Sequence, residues 1–348
     1  MVSKKAAVLA FVGMVLMMAG CSVKSVGKTS GEQQSISVFA MDTYMTLTVY
    51  DGEQEKALAE AKAEIERLEG LWSVTDENSE IYRLDNSAGT AQVSDETARL
   101  IDAALDMNTM TNGALDISLY PVLAEWGFTN GNYKIPDEKR LSQLLGNVDC
   151  QRIKVTGNTV EMPEGMKIDL GSLGKGETGD RVTEIFKENG VGSALLDLGG
   201  NIQVIGSKPD GSPWKVGIKD PWGEGSLAKV EVTDCCVITS GGYERYFEGD
   251  DGEVYWHILD PETGRPAHSG ILSTTVIGDR GRLCDGLSTA LFVMGEEKAE
   301  ELWRTVGGFD MILITEDNRL IMTEGLADKV SVYPQYGDIV TEVIEDKT

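Results

Sequence analysis

The chain is expected to fold as α+β, with mixed sheets and packed helices. Two segments in its first third have helical spacing. From residue 167 onward the sequence turns to short β-branched runs punctuated by glycine, and helical and strand-like stretches do not alternate strictly as a wound parallel sheet requires. At 348 residues, 41% hydrophobic and 25% charged, it has the composition of a globular protein with a sizeable core.

Taken in order, Ile36 to Tyr50 alternates roughly in twos and reads as a strand. Glu53 to Trp72 places Leu58, Ile65 and Leu68 on one helical face. Ser94, followed by Asp95 and Glu96, opens a second helix that stops near Gly113. Later strands are expected at 167–170, 194–198, 214–219, 237–239, 254–259 and 272–277. Helices are expected at 175–189 and 283–294, closed by Gly190 and Gly295.

The N-terminus reads as a targeting segment. Lys4 and Lys5 precede an apolar run, Ala6 to Met18, which is too short for a bilayer span of about 20 residues. Ala19-Gly20-Cys21 and the polar stretch after it resemble a bacterial lipoprotein signal, with Met18 where leucine is commoner. This predicts a signal peptide over 1–20, a lipidated Cys21, a linker over 21–35, a folded domain over 36–335 and an acidic, solvated tail over 336–348. The chain is then held on the extracytoplasmic face of the cell membrane. Plain secretion or an uncleaved anchor are the alternatives.

A net charge of -26, with no basic stripe, excludes nucleic acid as a natural partner. Any phosphate ligand would need a cation or a cradle of N–H groups. Cys150, Cys235, Cys236 and Cys284 form no metal-binding spacing and read as small core residues.

Three segments carry chemistry. In 167–176 a strand enters a glycine-rich turn and then a helix, a geometry that aims free N–H groups at phosphate, with Lys175 adding charge. Gly174, Gly176 and Gly179 also satisfy G-x-G-x-x-G, with Asp197 where a ribose acid would stand, so a nicotinamide fold and a ligand-free turn both compete. Against the nicotinamide fold stand the mid-chain position and hairpin-like strands. In 284–291, Asp285 and Thr289 are four apart on one helical face, a hard-oxygen pair suited to Mg²⁺, although on these residues alone a helix cap at Asp285 with Thr289 bonding back to the backbone is the simpler reading. In 239–266, Ser240 before two glycines suits a turn that a flat ligand approaches, and His257 before Asp260-Pro261 can take a proton near neutrality.

Together with Met41-Asp42-Thr43, Trp72-Ser73, Gly113-Ala114-Leu115-Asp116-Ile117, Leu198-Gly199-Gly200-Asn201 and Pro213-Trp214-Lys215-Val216-Gly217-Ile218, these segments resemble the ApbE family of FAD:protein FMN transferases over nearly all of residues 36–335. The resemblance implies a T-fold-like α+β architecture with a FAD cleft between two subdomains. It implies that Met41, Asp116, Ile117, Asp169, Lys175 and Leu259 line that cleft. Asp285, Thr289 and the Ser172 carbonyl would hold Mg²⁺ with Ser288 nearby, and His257 or Asp285 would be the base. The implied reaction splits FAD, releases AMP and places FMN on a threonine or serine hydroxyl of an exported or membrane redox protein, such as an Rnf/Nqr-like subunit or a flavin-carrying lipoprotein. A FAD pyrophosphatase and a non-catalytic FAD-binding lipoprotein are the alternatives. Thr75 stands where relatives often carry a flavin-stacking tyrosine, and Asp42 where glycine is common.

Overall fold

The structure, a computed structural model, describes residues 32–346; the lipidation site Cys21 and the signal segment lie outside the described residues. Strands β1 (Gln34–Ala40) and β2 (Thr43–Val49) pair in antiparallel register, Phe39 opposite Tyr44, so the single strand expected over 36–50 is a hairpin. Its two turn residues, Met41 and Asp42, have φ of 51° and 59°, the left-handed pair that a tight hairpin turn requires. Met-Asp lacks the glycine of the usual Asn-Gly or Asp-Gly hairpin turn and opens on an apolar residue, so the break is not legible in the sequence.

Helix α1 (Gln54–Trp72) buries Ala57, Leu58, Ala61, Ile65 and Leu68, the stripe its spacing predicts. The chain continues through α2 (Glu80–Asp85), β3 (Thr90–Gln92), α3 (Asp95–Met110), α4 (Tyr120–Trp126), α5 (Glu138–Leu145), β4 (Lys154–Thr156) and β5 (Thr159–Glu161). The Ser94 hydroxyl accepts the Thr97 N–H at 3.3 Å, the expected cap of α3. Residues 167–170, expected as a strand, pair with no sheet among the described residues. Ile168 donates to Asp85 Oδ1 at 2.9 Å and Asp169 to the Ile117 carbonyl at 2.9 Å.

The glycine-rich turn is corrected more deeply. Helix α6 spans Gly171–Glu188, so Gly174, Gly176 and Gly179 lie inside a helix. A Cβ on Gly176 would stand 2.3 Å from the Gly281 carbonyl oxygen, and one on Gly179 would stand 2.2 Å from Gln203 Nε2. Gly176 and Gly179 serve close packing against α7 (Gly281–Met294) and β7 (Asn201–Ile205), and because all three glycines lie inside α6, none forms the turn before the helix that a dinucleotide fingerprint needs.

The remaining elements are β6 (Ala194–Leu198), β8 (Trp214–Lys219), β9 (Ser226–Val232), β10 (Cys235–Gly241), β11 (Tyr246–Glu248), β12 (Val254–Trp256), β13 (Ile271–Gly278), α8 (Glu296–Val306), β14 (Asp310–Thr315), β15 (Arg319–Thr323), β16 (Val330–Val332) and β17 (Val340–Ile344). Nine strands form one sheet in the order β1-β2-β6-β7-β10-β13-β14-β15-β17, antiparallel except for β15–β17. One face carries α1, α6 and α7. The other is covered in part by the sheet β16-β9-β8, whose Val216, Ile218 and Val230 pack on Val204, Val237 and Ile312. The stretch read as a solvated tail from residue 336 therefore contains a strand of the main sheet, and Ile344 is buried. Acidic composition hid it, because backbone pairing along β15 needs few apolar side chains. Residues from Gln33 onward form one compact unit, so the cleft expected between two subdomains lies within it. Among the described residues Cys150, Cys236 and Cys284 are buried and unpaired, as small core residues, whereas Cys235, expected in the core with them, is only partly buried.

Candidate active site

Where α6 runs beside α7, the two glycines Gly176 and Gly281 let the helices approach until the side chain of one meets the backbone of the other. Asp285 Oδ2 accepts the Gly176 N–H at 2.8 Å, and Oδ1 accepts Asn201 Nδ2 at 2.9 Å. Lys175 Nζ stands 4.0 Å from Oδ1. Burial raises the Asp285 carboxyl above the usual carboxylate range, with Lys175, Asn201 and Gly176 pulling the other way. Asp180 fixes the start of α7 by accepting the N–H groups of Gly281 at 2.6 Å and Arg282 at 2.9 Å.

Asp285 lies on the wall of a cavity of about 920 Å³, at the upper end of the range for small-molecule sites. Met41, Asp116, Ile117, Asp169, Ser172, Lys175, Ser240, His257, Leu259 and Thr289 line the same cavity, although their positions span more than two hundred residues. Ser288 does not reach it. Its hydroxyl donates to the Asp285 carbonyl at 2.8 Å and pairs with Ser240 Oγ at 2.8 Å, so it stands behind the wall and supports Ser240. Ser240 Oγ also meets Thr289 Oγ1 at 3.2 Å.

The carboxylate of Asp116 faces the protein, accepting from Ser118 N at 2.8 Å and Cys150 N at 3.1 Å, so it shapes the wall at Ile117. Asp169 caps its own turn through Gly171 N at 2.8 Å, and burial raises its carboxyl. His257 Nδ1 lies 3.2 Å from the Arg245 carbonyl; a carbonyl can only accept, so Nδ1 carries the hydrogen and Nε2 the lone pair. Desolvation, then Arg245, and also Lys175 lower its pKa to about 4, which keeps the ring neutral at physiological pH. Arg245 reaches Asp42 at 3.4 Å across the rim, and Thr75 lines the mouth with its side chain in solvent.

The residues fit a divalent cation. Asp285 gives each oxygen only one protein hydrogen bond within 3 Å, and its nearest cation is 4.0 Å away, so the buried charge is incompletely compensated. Thr289 and Ser172 add hard oxygens on the same cavity. Asn201 and Arg245 were not singled out for a role by sequence reasoning. Asn201 follows the Gly199-Gly200 turn, whose φ values of 71° and 95° aim β7 at α7, and a polar residue after two glycines is the one signal that marked it.

Residues 41–313 match the sequence model of the ApbE family. A protein of Treponema pallidum named FAD:protein FMN transferase is 32% identical over 343 residues, covering 91% of this chain and 94% of that protein. One of the same name from Vibrio cholerae is 32% identical over 302 residues, covering 82% and 86%. Among solved structures, the ApbE protein of Thermotoga maritima superposes with a TM-score of 0.76 at 29% identity, covering 88% of this chain and 99% of that one. The flavinyl transferase ApbE of Pseudomonas stutzeri gives 0.75 at 26%, covering 90% and 98%. A match of this extent, falling on the residues that build the cavity, settles the family: the chain belongs to the ApbE family.

Proposed function

We propose that this chain is a Mg²⁺-dependent FAD:protein FMN transferase, which moves FMN from FAD to a threonine or serine hydroxyl of an acceptor protein and releases AMP. The observation that carries this is the buried Asp285, poised among Asn201, Gly176 and Lys175 on the wall of a cavity large enough for a dinucleotide. Asp285, Thr289 and the Ser172 carbonyl are the groups to hold Mg²⁺, which when bound offsets charge on the diphosphate. Asn201 orients the carboxylate, and Lys175 places an ammonium beside it. His257, neutral and with its Nε2 lone pair free, takes the proton of the acceptor hydroxyl. As the new oxygen–phosphorus bond to FMN forms, the bond to AMP breaks and AMP leaves with the electron pair.

Lys4, Lys5, the apolar run and Cys21 support lipid anchoring on the outer face of the membrane, beside a redox partner. The test uses protein lacking residues 1–21, mixed with FAD, Mg²⁺ and a soluble Nqr-type acceptor domain. An FMN-sized mass gain on the acceptor with equimolar AMP is expected. AMP and free FMN without labelling would identify a pyrophosphatase, and intact FAD after Mg²⁺ addition a binding protein; either overturns the transferase.

A further inference from the structure

A reaction on a protein hydroxyl needs a surface that delivers the hydroxyl-bearing segment, and one edge of the structure has the form for it. Glu231 of β9 sends its N–H to the Lys329 carbonyl at 3.0 Å, and Leu227 accepts from Tyr333 N at 2.9 Å, so the odd-numbered residues of β9 face β16. Lys215 lies opposite Glu231 and Gly217 opposite Lys229. Within an antiparallel pair, backbone groups alternate sides, so the N–H and C=O of Lys215 and Gly217 point away from β9. Among the described residues no strand pairs on that side, since β8 is the edge of its sheet. Both residues nevertheless line the cavity that contains Asp285.

Leu195 and Asp197 of β6 line the same cavity as this edge, and β2 pairs with β6 next to them. Tyr44, Thr46 and Thr48 share the outer face of β2, and Tyr50, next in the same alternation, meets the ring of Trp214 at 5.5 Å where β8 begins. At the cavity end, Phe39 and Tyr44 form an edge-to-face pair 5.0 Å apart, 60% and 75% exposed. The β8 edge and the outer face of β6 thus bound one opening of the cavity, with the outer face of β2 and its aromatic pair continuing the β6 surface.

Resting on the transferase reading above, we propose that this opening binds the acceptor: an extended segment of the acceptor protein adds to β8 as a fourth strand, rests an apolar side chain on Phe39 and Tyr44, and carries its hydroxyl into the cavity. Main-chain bonding to Lys215 and Gly217 supplies affinity with little demand on sequence, as in other strand-addition complexes. It also gives the exposed edge and the exposed aromatic pair a use, where each alone invites aggregation.

The test compares Lys215→Pro, which removes an outward N–H that β9 does not use, with Lys215→Ala, which leaves the ladder intact. With the soluble Nqr-type domain as probe, Lys215→Pro is expected to give a kcat/KM for labelling about tenfold below that of Lys215→Ala, one hydrogen bond's worth, while FAD affinity by flavin fluorescence is the same in the two variants, which both lack the side chain. Should Lys215→Pro fail to fold, the double change Phe39→Ser/Tyr44→Ser, made on solvent-facing side chains, is expected to give a loss of similar size. Equal labelling by Lys215→Pro and Lys215→Ala or, if Lys215→Pro does not fold, wild-type labelling in the double variant overturns the docking strip and leaves the transferase standing. Absence of labelling by the wild type overturns both.

Discussion

His257 and Asn201 show how single side chains are tuned by what they touch. The imidazole is driven to a pKa of about 4 by desolvation, Arg245 and Lys175, so it is a free base across the neutral range. The acid limb of the kcat/KM profile should therefore fall near pH 4 and not near the ordinary 6.5. The stability sign is separate: between about 6.5 and 4 the unfolded chain binds a proton that the folded chain refuses, so His257 makes the fold less stable as pH drops through that window. Replacing it with glutamine should slow transfer by about 10² to 10⁴-fold and leave FAD binding in place, as judged by rate and fluorescence titration. Asn201→Ala leaves the Asp285 Oδ1 without its amide partner, and the Mg²⁺ concentration for half activity should rise by about 10 to 100-fold. An unchanged Mg²⁺ titration would remove Asn201 from the site.

Between elements, the site depends on how closely α6 and α7 approach. Gly176→Ala would press a methyl group into the Gly281 carbonyl and the Asp285 Cβ, at 2.3 and 2.7 Å. Overpacking of this kind costs about 1–3 kcal/mol, and here it also displaces Asp285, so both the melting temperature and activity should fall. Asp180, which caps α7, has its carboxyl raised to about 6, chiefly by burial. A folded pKa above the unfolded 3.8 means the folded chain holds the extra proton, so this group adds stability as pH falls from about 6 to 4 and loses it as pH rises. Asp180→Asn should flatten that part of the stability profile, by on the order of 2–3 kcal/mol between pH 4 and 7. Calorimetry at both pH values reads this directly, and an unaltered profile would show that Asp180 does not titrate in the fold.

For the whole molecule, the compact unit begins at Gln33, so a chain starting there should melt with a single transition and bind FAD as the longer protein does. Cys21→Ser in the full chain should move the protein from the membrane to the soluble fraction, which cell fractionation checks. What the sequence determined by itself was local: helix stripes and caps such as Leu58, Ile65 and Ser94, the α+β mixture, and residue types that together matched a family. Periodicity and capping act over a few residues, so they are written where they act. The tertiary structure alone decided that Gly176 and Gly179 are close contacts of α6 with α7 and β7, that Met41 and Asp42 turn a hairpin, and that residues 340–344 complete the main sheet. It also decided that Asp285 meets Gly176 and Asn201, partners 109 and 84 positions away. Such pairs leave no periodic trace, because the hydrogen bonds that hold them form only after two helices and a sheet have packed.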